Sequence, residues 1–145
     1  MKRSPELIHF SREHHPALVL AKRIQRAQDG DLDALLPSAA FLDELERHFA
    51  AEEAQFALQL GGLAQLASRF NAEHASLRAL MHKLHAGDVT ALPEFGLLLE
   101  AHVRFEEREL FPALEADVDG ETGFFNSLLN RQGKSPGSAG VAVEV

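Results

Sequence analysis

One polar pattern occurs twice in the chain, and this repeat constrains the fold more than any other feature. Each copy begins with Phe-x-x-Glu-His and continues, further along the chain, with His-x-x-x-Glu-Glu. The copies comprise Phe10, Glu13, His14, His48, Glu52 and Glu53, and then Phe70, Glu73, His74, His102, Glu106 and Glu107. Residues four apart on a helix share one face, so each His-x-x-x-Glu presents an imidazole and a carboxylate to the same neighbour. Two such copies facing each other would suit a pair of transition-metal ions.

The apolar residues around this repeat follow the three-and-four spacing of amphipathic helices, and the alternation typical of strands is missing. Cap and break residues predict four helices: from Ser11 to the Asp29–Asp31 break, from Pro37 to just before Gly61, from Leu63 to Gly87, and from Pro93 onward. Four amphipathic helices with short connections favour an all-α fold, an antiparallel up-down four-helix bundle.

Two prolines and the C-terminal stretch bear on the helix ends. Pro16 should be tolerated only in or near a first helical turn, so it could move the true start of the first helix. Pro112 should kink or end the fourth helix. A short fifth helix over Phe124–Leu129 would complete one domain over 1–131, followed by a flexible tail over 132–145.

Composition limits the partners and the ligand chemistry. A chain of 145 residues with 46% hydrophobic content is large enough for one domain with its own core. Its formal net charge of −8 argues against nucleic acid or an anionic membrane as a partner. The chain has no cysteine, so nitrogen and oxygen atoms must hold any metal. No apolar run is long enough to span a bilayer, and the N-terminal charges precede no apolar segment; we therefore expect a cytoplasmic protein.

The polar groups of the repeat lie inside apolar stripes. On the second predicted helix, His48 and Glu52 share a face with Phe41 and Phe49. An unpaired carboxylate in a bundle core costs several kcal/mol, and a fully buried Glu is rare unless it is paired or coordinated. Since four helices would each deliver such groups to the interior, a pair of metal cations is the simplest way to neutralise them.

The residues also have interpretations without a metal. The histidines could be core residues that are hydrogen-bonded to neighbouring helices. Glu52 and Glu106 could pair on the surface with Arg47, Arg104 or Lys83 if the predicted helix phases are shifted.

The sequence leaves some assignments within the repeat open. Only the repeat favours His14 over the adjacent His15. Glu53 and Glu107 could each replace the preceding glutamate at the centre. Glu13 and its counterpart Glu73 could accept the second imidazole proton of a ligand, or could lie on the surface as caps.

At these residues the sequence resembles the haemerythrin-like HHE cation-binding domains. The resemblance covers about Ser11 to Leu114 and depends on Glu13-His14, His48-x-x-x-Glu52, Glu73-His74 and the block His102-x-x-x-Glu106-Glu107-x-x-Leu110-Phe111-Pro112-x-Leu114. It implies a four-helix bundle with a non-haem di-iron centre: two iron ions of the Fe–O–Fe type, although the same donor atoms would accept manganese or zinc. Carried over residue by residue, it implies His14, His48, His74 and His102 as terminal ligands and Glu52 and Glu106 as bridges.

The sequence departs from the oxygen-carrying haemerythrins at two positions. Those proteins have a second His one turn after the ligand of the third helix, where this chain has Arg78. They also have an Asp five residues after the ligand of the fourth helix, whereas here Glu106 follows His102 by four. Arg78 could instead approach a bridging carboxylate. The symmetric ligand set is more similar to that of the repair-of-iron-centres proteins, which usually carry a cysteine-containing segment that is not found here.

Three functions are compatible with these residues. The resemblance implies a di-iron protein that binds or senses dioxygen, nitric oxide or iron, as a monomer or homodimer, and we expect binding rather than catalysis. The second is an oxidase or peroxidase-like enzyme at the same centre, although the chain has no tyrosine for redox chemistry. The third is a metal-poor helical interaction domain.

Overall fold

The computed structural model describes residues 3–27 and 31–116, which fold into a series of helices joined by short connections. The helices are α1 (Ile8–Arg26), α2 (Ala39–Leu60), α3 (Ala64–His85) and α4 (Leu92–Phe105). Short 3-10 helices precede α2 (Leu32–Leu35) and α4 (Val89–Ala91), and α4 continues through a π-helical turn (Glu106–Leu110) into a helix over 111–116. Since the described ranges contain no strand, the predicted all-α fold is confirmed.

Two apolar clusters show that successive helices run in opposite directions. The first cluster joins the end of α1 to the start of α2 and the end of α3 to the start of α4, through Ile24, Leu42, Leu84 and Phe95. The second cluster joins the opposite ends of the same helices. It includes Phe10, Phe56, Phe70, Leu110 and Phe111. The four helices therefore form the antiparallel up-down bundle that the short connections predicted.

The start of α1 differs from the prediction. The helix begins at Ile8, three residues before Ser11, and Pro16 lies well inside it. The expectation that Pro16 marks a first turn is therefore wrong. An interior proline costs about 3 kcal/mol, but the early start buries Leu7 and Phe10, and each buried side chain of this size contributes roughly 1.5–3 kcal/mol. Burial of this first turn outweighs the proline.

Pro112 does not end the fourth helix, because the helix continues over 111–116. The helix instead accommodates Pro112 through the π-helical turn that precedes this proline. In that turn the Phe111 amide donates to the carbonyl of Glu106, five residues earlier. A wider turn relieves the clash that a proline ring makes with the carbonyl four residues before it.

Two sequence predictions meet limits in the described part of the chain. The fifth helix over 124–129 and the tail over 132–145 lie outside the described residues. None of the described helices combines the length and the apolar character needed to cross a membrane.

Gly96 marks a close approach of α4 to α1. A Cβ atom added there would lie 2.9 Å from Cγ2 of Ile24 and 3.4 Å from the carbonyl oxygen of Ala21. We expect Gly96→Ala to lower the free energy of unfolding by about 1–2 kcal/mol in urea denaturation, because overpacking exceeds the gain in helix propensity. Gly62→Ala is the control, since its Cβ would meet only the Gln59 carbonyl at 3.8 Å. A stabilised Gly96→Ala protein would contradict the close approach.

Glu100 links α1 to α4 at the surface. Its carboxylate accepts from Lys22 at 2.8 Å, Gln25 at 2.7 Å and Arg104 at 2.6 Å, and these hydrogen bonds lower the pKa of Glu100 to about 2. We expect Glu100→Gln to cost about 0.5–1 kcal/mol at neutral pH, since solvent screens the pairs. Because the folded pKa is below the unfolded value of about 4.3, this stabilisation is complete above that pH and disappears as the pH falls through about 2. Denaturation curves of the two proteins should converge in acid; a difference that stays constant with pH would disprove this account.

Candidate metal centre

Six polar side chains from all four helices meet between the two apolar clusters. They are His14, His48, Glu52, His74, His102 and Glu106, and their exposed fractions range from 0% to 7%. On each helix, members of one cluster precede this polar layer and members of the other follow it. The structure thus brings together all six residues that the sequence singled out, and it leaves His15 exposed.

Glu52 of α2 lies between histidines of two helices. Its Oε2 is 3.1 Å from Nε2 of His48, one turn earlier on the same helix, and its Oε1 is 3.3 Å from Nε2 of His74 on α3. The four-residue spacing of His48 and Glu52 therefore does what the repeat predicted: both groups point at the same neighbour.

Glu106 has the same arrangement in the second copy of the repeat. Its Oε2 is 3.0 Å from Nε2 of His102, and its Oε1 is 2.8 Å from Nε2 of His14 on α1. Ligand-type atoms lie within 4.8 Å of one another in two groups that share both glutamates. The groups are His14, His48, Glu52 and Glu106, and then Glu52, His74, His102 and Glu106.

Five buried atoms of this centre have no hydrogen-bond partner within the described part of the chain. They are Oε1 and Oε2 of Glu52, Oε2 of Glu106, and Nε2 of His74 and of His102. A buried carboxylate that is left unpaired costs several kcal/mol. Carboxylate oxygens and imidazole nitrogens that converge without hydrogen-bond geometry are the donor set for a cation, so the residues present fit a metal site.

The outer nitrogen of each histidine contacts a further glutamate. The distances from Nδ1 to the carboxylate oxygen are 2.6 Å for His48–Glu13, 2.7 Å for His74–Glu53, 2.7 Å for His102–Glu73 and 2.6 Å for His14–Glu107. In every pair the glutamate comes from the preceding helix, and Glu107 closes the circle from the turn after α4 back to α1. We refer to Glu13, Glu53, Glu73 and Glu107 as the carboxylate ring.

The carboxylate ring determines which imidazole nitrogen carries the proton. Burial raises the pKa of Glu53, Glu73 and Glu107, but hydrogen bonds from their histidine and other polar partners outweigh it and bring each pKa below its ordinary value. These carboxylates are therefore ionised and can only accept, so Nδ1 of the paired histidine donates. Where Nδ1 carries the only proton, the lone pair of Nε2 faces the centre, which is the orientation that a metal ligand needs.

Arginines anchor three of the four glutamates in the carboxylate ring. The pairs are Arg78 with Glu53 at 2.7 Å, Arg69 with Glu73 at 2.8 Å and Arg3 with Glu107 at 3.1 Å. Nothing in the sequence pointed to Arg3 and Arg69, because no spacing rule connects them to the repeat. The sequence signal for the ring was the recurrence of its four glutamates within the repeat, each directly beside a histidine or glutamate of the centre.

The expectation that Arg78 approaches a bridging carboxylate is wrong. Arg78 binds Glu53 and, at 2.8 Å, Glu46. Arg78 follows His74 by one turn on the same helix, and its guanidinium binds Glu53, the carboxylate that contacts the outer nitrogen of His74. Arg78 therefore holds in place the carboxylate of Glu53, which accepts from Nδ1 of His74.

Opposite pKa shifts describe the charges at the centre. Burial and the charge of Glu106 raise the pKa of Glu52 far above its ordinary value. Burial acts the same way on Glu106, but His102 and other histidines outweigh it and hold that pKa well below the ordinary value. Burial lowers the pKa of His102, yet Glu106 and Glu73 together raise it to about 9. Protons therefore neutralise part of this centre when no cation does, and metal binding would release them.

Phenylalanine rings surround the imidazoles. Phe49 stacks on His74 with ring centroids 4.2 Å apart, and Phe111 stacks on His14 at 5.6 Å. Both phenylalanines are fully buried, as are Phe10 and Phe70 beside them. This apolar surround keeps water from the centre and strengthens electrostatic interactions within it.

A four-helix bundle with two His/Glu groups sharing their carboxylates has the architecture of the metal-binding helical bundles. The family model of the hemerythrin HHE cation binding domain matches residues 7–114, a range that includes all six residues of the centre. The chain belongs to this family of cation-binding domains. Neither a comparison with curated proteins nor one with solved structures found a match. The narrower resemblance to the repair-of-iron-centres proteins stays a prediction.

The adjacent histidines of α1 allow a matched test of the ligand assignment. His14 is buried with its Nε2 at the centre, whereas His15 is exposed one position further along. We expect His14→Ala to lose roughly one metal ion per chain in elemental analysis, and His15→Ala to lose none. The reverse result would mean that the helix phase at this position is wrong.

Proposed function

We propose that the protein binds a pair of metal ions between its four helices and that the pair is iron. One ion would be held by His14 and His48 and the other by His74 and His102, with Glu52 and Glu106 shared between them. The observation that carries this proposal is the sharing of both buried carboxylates by two compact ligand groups. The nitrogen and oxygen donor set is compatible with iron, manganese or zinc, and family membership favours iron.

The coordination that the chain can offer supports a role in binding small molecules. Each ion would receive two imidazole nitrogens and two carboxylate oxygens, which is fewer than octahedral coordination requires. The remaining positions could take dioxygen, nitric oxide or peroxide, and bound iron would supply the electron that such ligands accept. The apolar surround of Phe49 and Phe111 favours a small ligand of low polarity over a large polar substrate.

Binding or sensing accounts for the surroundings better than turnover does. The chain has no tyrosine and no cysteine, so neither side chain can pass an electron to a bound ligand. Once metal ions have displaced the protons of the centre, the nearest remaining protons would lie on Nδ1 of His14, His74 and His102, where ionised carboxylates of the ring retain them. We further propose that the protein acts in the cytoplasm as a monomer or homodimer; its net charge of −8 supports the absence of a nucleic-acid partner.

Metal analysis combined with absorption spectra tests the proposal. Protein purified without chelator should contain roughly two irons per chain, and its visible spectrum should change reversibly between argon and air or nitric oxide. Glu52→Gln is the control variant, because it removes a bridging charge while keeping the shape of the side chain. It should fold, as circular dichroism would show, but lose metal and the spectral response.

Other outcomes separate the alternatives. Sustained consumption of dioxygen or peroxide would identify an oxidase or peroxidase-like enzyme. Folded protein that takes up no iron, manganese or zinc would disprove the metal pair and leave a helical interaction domain.

A further inference from the structure

The four corners of the carboxylate ring are not held alike. At three corners the glutamate is bound by an arginine, and its side chain is 18% to 33% exposed; these are Glu73, Glu107 and Glu53. At the fourth corner Glu13 is 53% exposed and contacts Nδ1 of His48 at 2.6 Å. Within residues 3–27 and 31–116, Glu13 has no ion pair with an arginine or lysine.

A cleft between α1 and α2 opens at this same corner. It has a volume of about 270 Å³, and Glu13 and His48 contribute to its lining. Apolar walls come from Pro16, Ala17, Phe41 and Leu45, and Ala40 and Glu44 complete the lining. The cleft is partly open to solvent and has room for several water molecules.

We propose that the metal position held by His14 and His48 is the exchangeable one, and that ions enter and leave it through this cleft as His48 turns outward. This inference rests on the proposed metal pair and adds a route and an order of exchange to it.

The contacts at the His48 corner explain why the ion at this position should exchange more readily. Each of His48, His74 and His102 must give up a contact with a central carboxylate to leave the centre. On its outer side, however, His48 breaks a contact with only one solvated carboxylate, and the adjacent cleft provides space for the ring. Two carboxylates line the cleft: Glu13, and Glu44, which also pairs with Arg47 at 3.4 Å on the exposed surface. Their negative charge attracts cations from solution.

The second metal position lacks these features. His74 and His102 are each 1% exposed, and both of their partner carboxylates are bound by arginine. Turning either imidazole outward would disturb an arginine–carboxylate pair as well as the histidine contact. This position should therefore retain its ion longer.

Chelator-driven release from cobalt(II)-loaded protein, repeated with iron(II) under argon, tests the inference. The unmodified protein should release its two ions in two phases of equal amplitude. Glu13→Gln should accelerate the fast phase by about tenfold or more and leave the slow phase unchanged, since loss of such a carboxylate partner typically weakens metal binding by 10–100-fold. Glu73→Gln is the matched control at an arginine-bound corner and should accelerate the slow phase. A merely structural role for Glu13 would change both phases.

A variant that adds an ion pair to Glu13, instead of removing a contact, provides a second measurement. Glu44 is 77% exposed and lines the cleft together with Glu13, so Glu44→Arg would place a guanidinium near the unanchored carboxylate. It should slow the fast phase several-fold, whereas Glu44→Gln, which only removes charge, should have a smaller effect. Release in a single phase, or a Glu13→Gln effect on the slow phase alone, overturns the inference while the metal pair stands. Failure of the unmodified protein to bind two ions would refute the proposed function instead.

Discussion

Two carboxylates with no exposed surface, Glu52 and Glu106, impose the requirement on which the rest of the structure depends. A buried negative charge must be neutralised, and each glutamate meets imidazole nitrogens from its own helix and from another. The imidazoles in turn need their outer nitrogens satisfied, which the carboxylate ring achieves. The apolar clusters on both sides exclude water from the two central carboxylates, so solvent cannot substitute for the imidazoles there. The packing of the four helices and the neutralisation of the two central carboxylates therefore depend on each other.

The sequence predicted the bundle and the convergence of six side chains because both depend on local spacing. Four-residue spacing places His48 with Glu52 on one helix face whatever surrounds the helix. The pairing in the carboxylate ring depends instead on which helix lies beside which. Glu53 follows Glu52 by one residue, about 100° round the helix, so the sequence predicts that its side chain points away from the centre. The sequence does not show that this side chain contacts His74 on the next helix. Arg78 could not be assigned for the same reason.

Helix ends and phases were less predictable because tertiary burial decides them. Phe41, which the sequence places on the inward face of the second helix, is half-buried, and Leu42 takes its place in the core; on α4, Leu99 is buried and its neighbour Leu98 only half-buried. Neighbouring positions of similar hydropathy compete for the same space, and packing against other helices selects one of them. Pro16 is an example of the same rule, since burial elsewhere in the first turns of α1 compensates for its missing amide.

The circular order of the carboxylate ring has a consequence for how such a centre can be built. Helices α1 and α2 contain the same motif as α3 and α4, so a self-associating hairpin with that motif would supply every group of the centre. Symmetry would then oblige opposite corners to be identical. Joining two hairpins in one polypeptide removes that obligation, so the corner at Glu13 can be solvated while the corresponding corner at Glu73 is locked. Covalent linkage of the halves is what permits one side of a symmetric core to specialise.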